Sequence, residues 1–181
     1  MSWKETAGLK GSRRKTGSTG ALIFISVCNR YRVGGIEVVS ERQDLVYRAE
    51  ASPGAVGSDY PPAPDLGQPL AVQDLASDPV RLCRFSAMTF NGHRIHYDVD
   101  YARNVEGYGG LVVHGPMQAV AMLNLAAKVM GACPKVFTFR GLSPLICGEA
   151  ARTEAYSQDN GLTLRVVKPG GTVTMQGSAS L

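Results

Sequence analysis

The chain has 181 residues, of which 44% are hydrophobic and 19% charged; this excludes a disordered polymer and fits one ordinary globular domain or a little more. No apolar stretch, Ala21 to Cys28 included, approaches the roughly 20 residues of a membrane-spanning helix, and the polar, basic start from Met1 to Thr19 lacks the apolar centre of a secretory signal. The net charge of +4 is modest, and the one basic cluster (Lys4, Lys10, Arg13, Arg14, Lys15) has Trp3 as its sole aromatic neighbour, which argues against a nucleic-acid partner. A solvated surface remains, or a phosphorylated ligand such as a nucleotide or coenzyme A. The cysteines (Cys28, Cys83, Cys133 and Cys147) contain no C-x-x-C pair, so neither a zinc site nor a disulfide scaffold is expected. Free thiols without an export signal suit the cytoplasm, or the mitochondrial matrix in a eukaryote.

In chain order, Gly20 to Arg32 and Ile36 to Arg48 are rich in β-branched and aromatic residues. With Gly34-Gly35 between them they predict a β-hairpin, because a tight hairpin turn needs positive φ. Val38, Val39, Leu45 and Val46 do not alternate cleanly, which suggests a bulge near Ser40. Residues 51–80 hold Pro53, Pro61, Pro62, Pro64, Pro69 and Pro79 and are read as a linker, since proline lacks a backbone donor.

Residues 81–181 are expected to form the larger unit. Phe85 to Thr89 is read as a short strand or the entry to a loop. Pro116 to Met130 is predicted as a long helix, with proline in its first turn and Gly131 as its stop. Its apolar residues spread around most of the circumference, as expected of a helix buried on nearly all sides. Strands are predicted at Lys135 to Arg140, Leu145 to Tyr156, Leu162 to Lys168 and Thr172 to Ser178, as an antiparallel meander.

The densest set of reactive side chains is Thr89 to Asp98, TFNGHRIHYD, with Asn91 five residues before His96, and His93 between them. A third histidine, His114, lies in Val112-Val-His-Gly-Pro116. There a strand-like run enters the long helix, and the first-turn N–H groups have no partner inside the helix. Gly115 offers an unobstructed N–H for an oxygen that becomes negative in a reaction. His93, His96, Asp98 and His114 could supply four metal ligands, but the spacing matches no strong zinc pattern, and no metal is expected. Gly11 to Thr16 imitates a phosphate loop, but Arg14 stands where such a loop needs glycine.

Phe85 to Asp98, Tyr101-Ala102, Glu106-Gly-Tyr108 and Gly110 to Pro116 closely resemble the MaoC-like hot-dog hydratases and dehydratases. The nearest branch contains the mesaconyl-C4-CoA and itaconyl-CoA hydratases and the type-2 hydroxyacyl-thioester dehydratases. Arg14 to Gly20, the hairpin after it and Gln43 to Tyr47 resemble the end of that branch's first hot-dog half. The resemblance covers about residues 12–50 and 81–178. It departs from the wider MaoC pattern, which has aspartate at the position of Asn91 and asparagine at that of His93. It implies an α+β hot-dog fold, an antiparallel sheet wrapped around one long helix. The chain then reads as a partial first half over 1–50, the linker 51–80 and a complete hot-dog domain over 81–181. With the early part of the first half absent, a homodimer or larger assembly is expected.

The resemblance also implies reversible syn hydration of a 2-enoyl-CoA, or dehydration of a 3-hydroxyacyl-CoA. No metal or redox cofactor is called for, because coenzyme A is part of the substrate. His96 is the expected acid/base, Asn91 would orient water, and the Gly115 N–H would polarise the thioester carbonyl. Arg94 and Arg103 are candidates for the CoA phosphates, and His93 and His114 for lining the substrate site. Two alternatives remain: thioester hydrolysis with Asp98 as base, or a non-catalytic subunit that binds acyl thioesters.

Overall fold

A computed structural model describes residues 3–17, 20–48 and 63–181. The chain divides into two compact units, residues 1–51 and 52–181.

The first unit is a three-stranded antiparallel sheet, β1 (Trp3–Gly17), β2 (Gly20–Val33) and β3 (Ile36–Arg48), with β2 in the middle. Gly34 and Gly35 turn β2 into β3 with φ of 57° and 86°, as the hairpin prediction requires. Two features differ from the sequence reading. The hairpin has a third strand, β1, which carries few apolar residues and so shows no alternation; its ladder with β2 holds it in place. The bulge falls at Val38, where the register passes from Tyr31 opposite Val39 to Arg32 opposite Glu37.

The second unit is α+β. Five strands, β4 (Ala71–Asp74), β5 (Val136–Gly141), β6 (Arg152–Gln158), β7 (Gly161–Val167) and β8 (Val173–Ser180), form one antiparallel sheet in the order β4-β6-β7-β8-β5. Three helices accompany it: α1 (Pro79–Met88), α2 (Val99–Asn104) and α3 (Gly115–Met130). The long helix α3 contacts all five strands, which is the expected hot-dog arrangement. Its proline stands in the first turn, and Gly131 caps the far end with φ 70°. Gln118, Ala119, Met122, Leu125 and Ala126 form its buried face, against core residues such as Leu82, Leu145, Leu164 and Val166.

The helix is not buried all round. Pro116, Val120, Asn124 and Lys128, four apart, make an exposed stripe. Of the expected meander only β6-β7-β8 is sequential; β5 returns to pair with β8 at the sheet edge. The stretch from Leu145 is not a strand until Arg152, and its first residues make a single bridge, Ile146 to Val112.

The proline-rich segment is also more ordered than a linker. Residues 51–62 lie outside the described residues, but β4 and the start of α1 fall within the stretch 51–80. Pro79 occupies the first helical position, where no N–H is needed, and the Asp78 carboxylate accepts the Arg81 N–H at 2.9 Å as N-cap. Phe85 to Thr89, read as a strand or loop entry, is the last turn of this helix with its C-cap, Thr89.

Candidate active site

Two segments of the second unit are joined by hydrogen bonds at Val112. Its N–H donates to Ile95 O at 2.9 Å, and its carbonyl accepts the His96 ring Nδ1–H at 2.7 Å. Flanking bonds hold Val112 in place: Val113 N–H to Leu145 O at 2.8 Å and Cys147 N–H to Leu111 O at 2.7 Å. The run Leu111 to His114 is buried throughout. It reaches α3 with fixed direction and carries His114 as that helix's N-cap residue.

His96 ends a short 3₁₀ turn, Arg94–His96, and its ring stacks on that of His114, centroids 3.7 Å apart at 17°. A carbonyl can only accept, so the bond to Val112 puts the His96 hydrogen on Nδ1. In the neutral ring Nε2 is then left with its lone pair. Burial pushes the His96 pKa below the usual 6.5; the bond to Val112 opposes this, and a charge on His93 adds to the lowering. His114 is fully buried and is pushed down to about 4, first by burial and then by His96. Both rings are neutral at neutral pH, and His96 Nε2 is an acceptor nitrogen with no protein partner among the described residues.

The loop before His96 is shaped by the end of α1. Thr89 closes the helix, Phe90 is left-handed with φ 52°, and two bonds return to the last turn: Phe90 N–H to Ala87 O at 3.4 Å and Asn91 N–H to Ser86 O at 2.9 Å. This is the Schellman pattern. Asn91 then turns the chain again, its Oδ1 accepting the His93 N–H at 3.0 Å. Its side-chain oxygen is therefore engaged with backbone, and its amide N–H groups are the part able to meet a ligand.

The structure brings Asn91, His93, His96 and His114 into one neighbourhood. The His93 ring meets His96 edge-on at 5.7 Å, with Nε2 3.8 Å from Glu106. Gly115 follows His114 at the start of α3. Gln118 N–H closes onto His114 O and Pro116 has no N–H, so Gly115 and Met117 carry the first-turn donors with no acceptor inside the helix. Arg94 is committed elsewhere: it binds Asp98 at 2.7 Å and lies 4.2 Å over the Tyr101 ring. Arg103, exposed, spends its Nε–H on Gly109 O at 3.1 Å. Asp98 caps α2 through the Tyr101 N–H, and that bond, together with Arg94, holds its pKa below the usual carboxylate range. Among the described residues no group of three or more His, Cys, Asp or Glu side chains is placed to hold a metal ion.

One residue of this neighbourhood is absent from the sequence reading. Ser86 Oγ lies 2.8 Å from His114 Nε2 in a buried contact. The two are 28 residues apart, and only the Asp78-Pro79 helix start hinted that Ser86 belongs to a helix.

The family of hydroxyacyl-thioester dehydratases type 2 matches residues 7–147 of the chain. The chain belongs to this family. It is similar to the mesaconyl-C(4)-CoA hydratase of Chloroflexus aurantiacus, 34% identical over 175 residues, which are 96% of this chain and 61% of that protein. It is also similar to the mitochondrial hydroxyacyl-thioester dehydratase type 2 of Schizosaccharomyces pombe, 38% identical over 77 residues, 41% of this chain and 26% of that one. The chain thus spans less than two thirds of the length of either. Among solved structures, a MaoC-like dehydratase from Phytophthora capsici superposes with a TM-score of 0.73 at 17% identity, over 99% of this chain and 64% of its own. The (R)-hydratase from A. caviae gives 0.54 at 19%, over 65% of this chain and 95% of its own. These two show the fold, the MaoC-like hot-dog that the family's motifs imply.

Proposed function

We propose that the protein adds water reversibly to a 2-enoyl thioester of coenzyme A, or removes it from the matching 3-hydroxyacyl thioester. The observation that carries this reading is the bond from His96 Nδ1–H to Val112 O, which leaves Nε2 of a neutral, nearly buried imidazole as a base. In hydration the water oxygen bonds to Cβ while His96 Nε2 takes one of its protons. The electron pair of the double bond moves toward the thioester oxygen, where the Gly115 N–H and the positive end of α3 stabilise it. The imidazolium then returns the proton to Cα, so one water has been added and the ring is neutral again. Asn91, through its amide N–H, holds the water oxygen. Arg103 keeps guanidinium N–H groups for a CoA phosphate. Coenzyme A enters with the substrate, and the reaction needs no other cofactor.

The Chloroflexus relative is named for mesaconyl-C(4)-CoA, which makes that thioester and crotonyl-CoA the substrates to test. Loss of enoyl absorbance supports the reading; release of free thiol instead would make the protein a thioesterase. Asp98 is poorly suited to activate water for hydrolysis, because the Tyr101 N–H and Arg94 hold its carboxylate and lower its basicity.

The assembly we propose is a homodimer or larger. Ile36, Val38, Val39, Val46 and Tyr47 are all more than half exposed on β3, an edge strand of its sheet, and such an edge invites pairing. Light scattering showing a monomer at micromolar concentration would contradict this. No helix of the described residues is long and apolar enough to cross a membrane. The free cysteines suit a reducing compartment, the cytoplasm of a bacterium or the mitochondrial matrix.

A further inference from the structure

Ser86 is not among the residues that the motifs single out, yet two of its groups hold the site together. Its carbonyl accepts the Asn91 N–H, and its hydroxyl meets His114 Nε2 at 2.8 Å. Neutral His114 carries one ring hydrogen and Ser86 one hydroxyl hydrogen, but the Oγ to Nε2 line holds only one of them. The other has no protein acceptor among the described residues.

If Ser86 donates, the spare hydrogen lies on His114 Nδ1, which is sealed from solvent and has no partner. If His114 donates, the spare hydrogen lies on Ser86 Oγ, and Nδ1 keeps only a bare lone pair. Orphaned buried N–H groups are rarer than under-satisfied acceptors, which favours the second arrangement. Ser86 also retains 7% of its surface, while His114 retains none. Of the pair, only Ser86 keeps any exposed surface, so a small ligand would approach from the serine's side.

We propose that Ser86 is a further substrate-contacting residue: it accepts the Nε2–H of His114 and donates its own hydrogen to the oxygen that is added to, or leaves, Cβ of the thioester. This rests on the hydratase reading above. The stack of His114 on His96 brings the Ser86 donor to the neighbourhood of the base that takes that oxygen's proton. A water oxygen can give a hydrogen to His96 Nε2 while accepting one from Ser86, and a Cβ hydroxyl can do the same in reverse. His114 acts through Ser86: by filling the serine's acceptor side it aims the hydroxyl hydrogen away from itself.

Nitrogen-15 NMR of the full chain at neutral pH reads the His114 tautomer without substrate or turnover. The three histidines are assigned by comparison with His93→Gln and His96→Gln. The expected state is hydrogen on Nε2; hydrogen on Nδ1 overturns the proposal. In kinetics, Ser86→Ala is expected to lower kcat about 10- to 100-fold, on the scale of lost hydrogen-bond catalysis, with KM changed less than about threefold and the circular dichroism unchanged. Ser86→Thr, which restores the hydroxyl, is expected to recover most of it. A folded Ser86→Ala protein with wild-type kcat overturns the proposal and leaves the hydratase reading intact. A wild-type protein that hydrates no enoyl thioester overturns both.

Discussion

The rings of His96 and His114 lie parallel within 17° and 3.7 Å apart, although 18 residues separate them in sequence. Each ring has one nitrogen bound to protein, His96 to the Val112 carbonyl and His114 to Ser86. Two charged imidazoles at this distance would repel strongly in a buried setting, so the pair is a device for keeping both neutral. It also distinguishes them: His96 keeps its acceptor nitrogen for chemistry, whereas His114 is sealed within the protein.

His96→Ala is therefore expected to lower kcat at least about 100-fold, the scale of a lost acid/base group. The far-ultraviolet circular dichroism should be unchanged. His93→Ala should cost less, since that exposed ring meets His96 only by its edge. Near-normal turnover of folded His96→Ala would remove His96 from its role.

The pH dependence follows from the same pair. Burial lowers both pKa values, that of His114 to about 4. The acid limb of kcat/KM should therefore fall below the ordinary histidine value of about 6.5. For stability, a lowered histidine pKa means that the unfolded chain binds a proton the folded chain refuses. Stability should then rise with pH between about 4 and 6.5 and be lost as pH falls through that window. The His114 shift alone contributes about 3 kcal/mol between pH 7 and pH 4. Urea denaturation at several pH values checks this; a flat profile over that range would contradict it.

Gly115 tests the oxyanion role. A Cβ built there would meet Met175 Cε at 3.5 Å, an ordinary contact, and its φ is not in the left-handed region. Backbone geometry does not demand glycine, so Gly115→Ala should fold with a melting temperature within a few degrees of wild type. The methyl would crowd the N–H that the proposed thioester oxygen would approach, and kcat/KM is expected to fall about tenfold or more. Full activity of Gly115→Ala would mean that the oxygen is held elsewhere.

Phe90 is out of place by the rules of helix ends. It occupies the left-handed position of the Schellman turn, where glycine is usual, and is 96% exposed. A left-handed non-glycine residue costs about 1 kcal/mol, and no packing offsets it. Phe90→Gly is expected to stabilise the fold by about 1 kcal/mol and raise Tm by a few degrees. A drop in Tm would show that the ring is packed after all.

Much of the fold of both units was legible because its signals are local. α3 announces itself by Pro116 and Gly131, and the hairpin by Gly34-Gly35. What escaped depends on distant partners or competing signals. β1 has almost no apolar residues and exists through its ladder with β2. α1 was hidden because prolines marked its surroundings as linker, although Asp78-Pro79 is a sound helix start. Two polar side chains considered for substrate roles have local partners of this kind: Arg94 and Asp98 hold each other, and Asp98 caps α2. The residues of the candidate site were singled out by motifs, but the contact of Ser86 with His114 was not legible, since nothing in either segment points to the other.

The most direct test of the account is a spectrophotometric assay of the purified full chain with mesaconyl-C(4)-CoA and crotonyl-CoA, run beside His96→Ala. The expected result is loss of enoyl absorbance without thiol release, reversal from the 3-hydroxyacyl side, and at least about a 100-fold slower rate in the variant. Thiol release as the main reaction, or hydration at equal rates in both proteins, would contradict it.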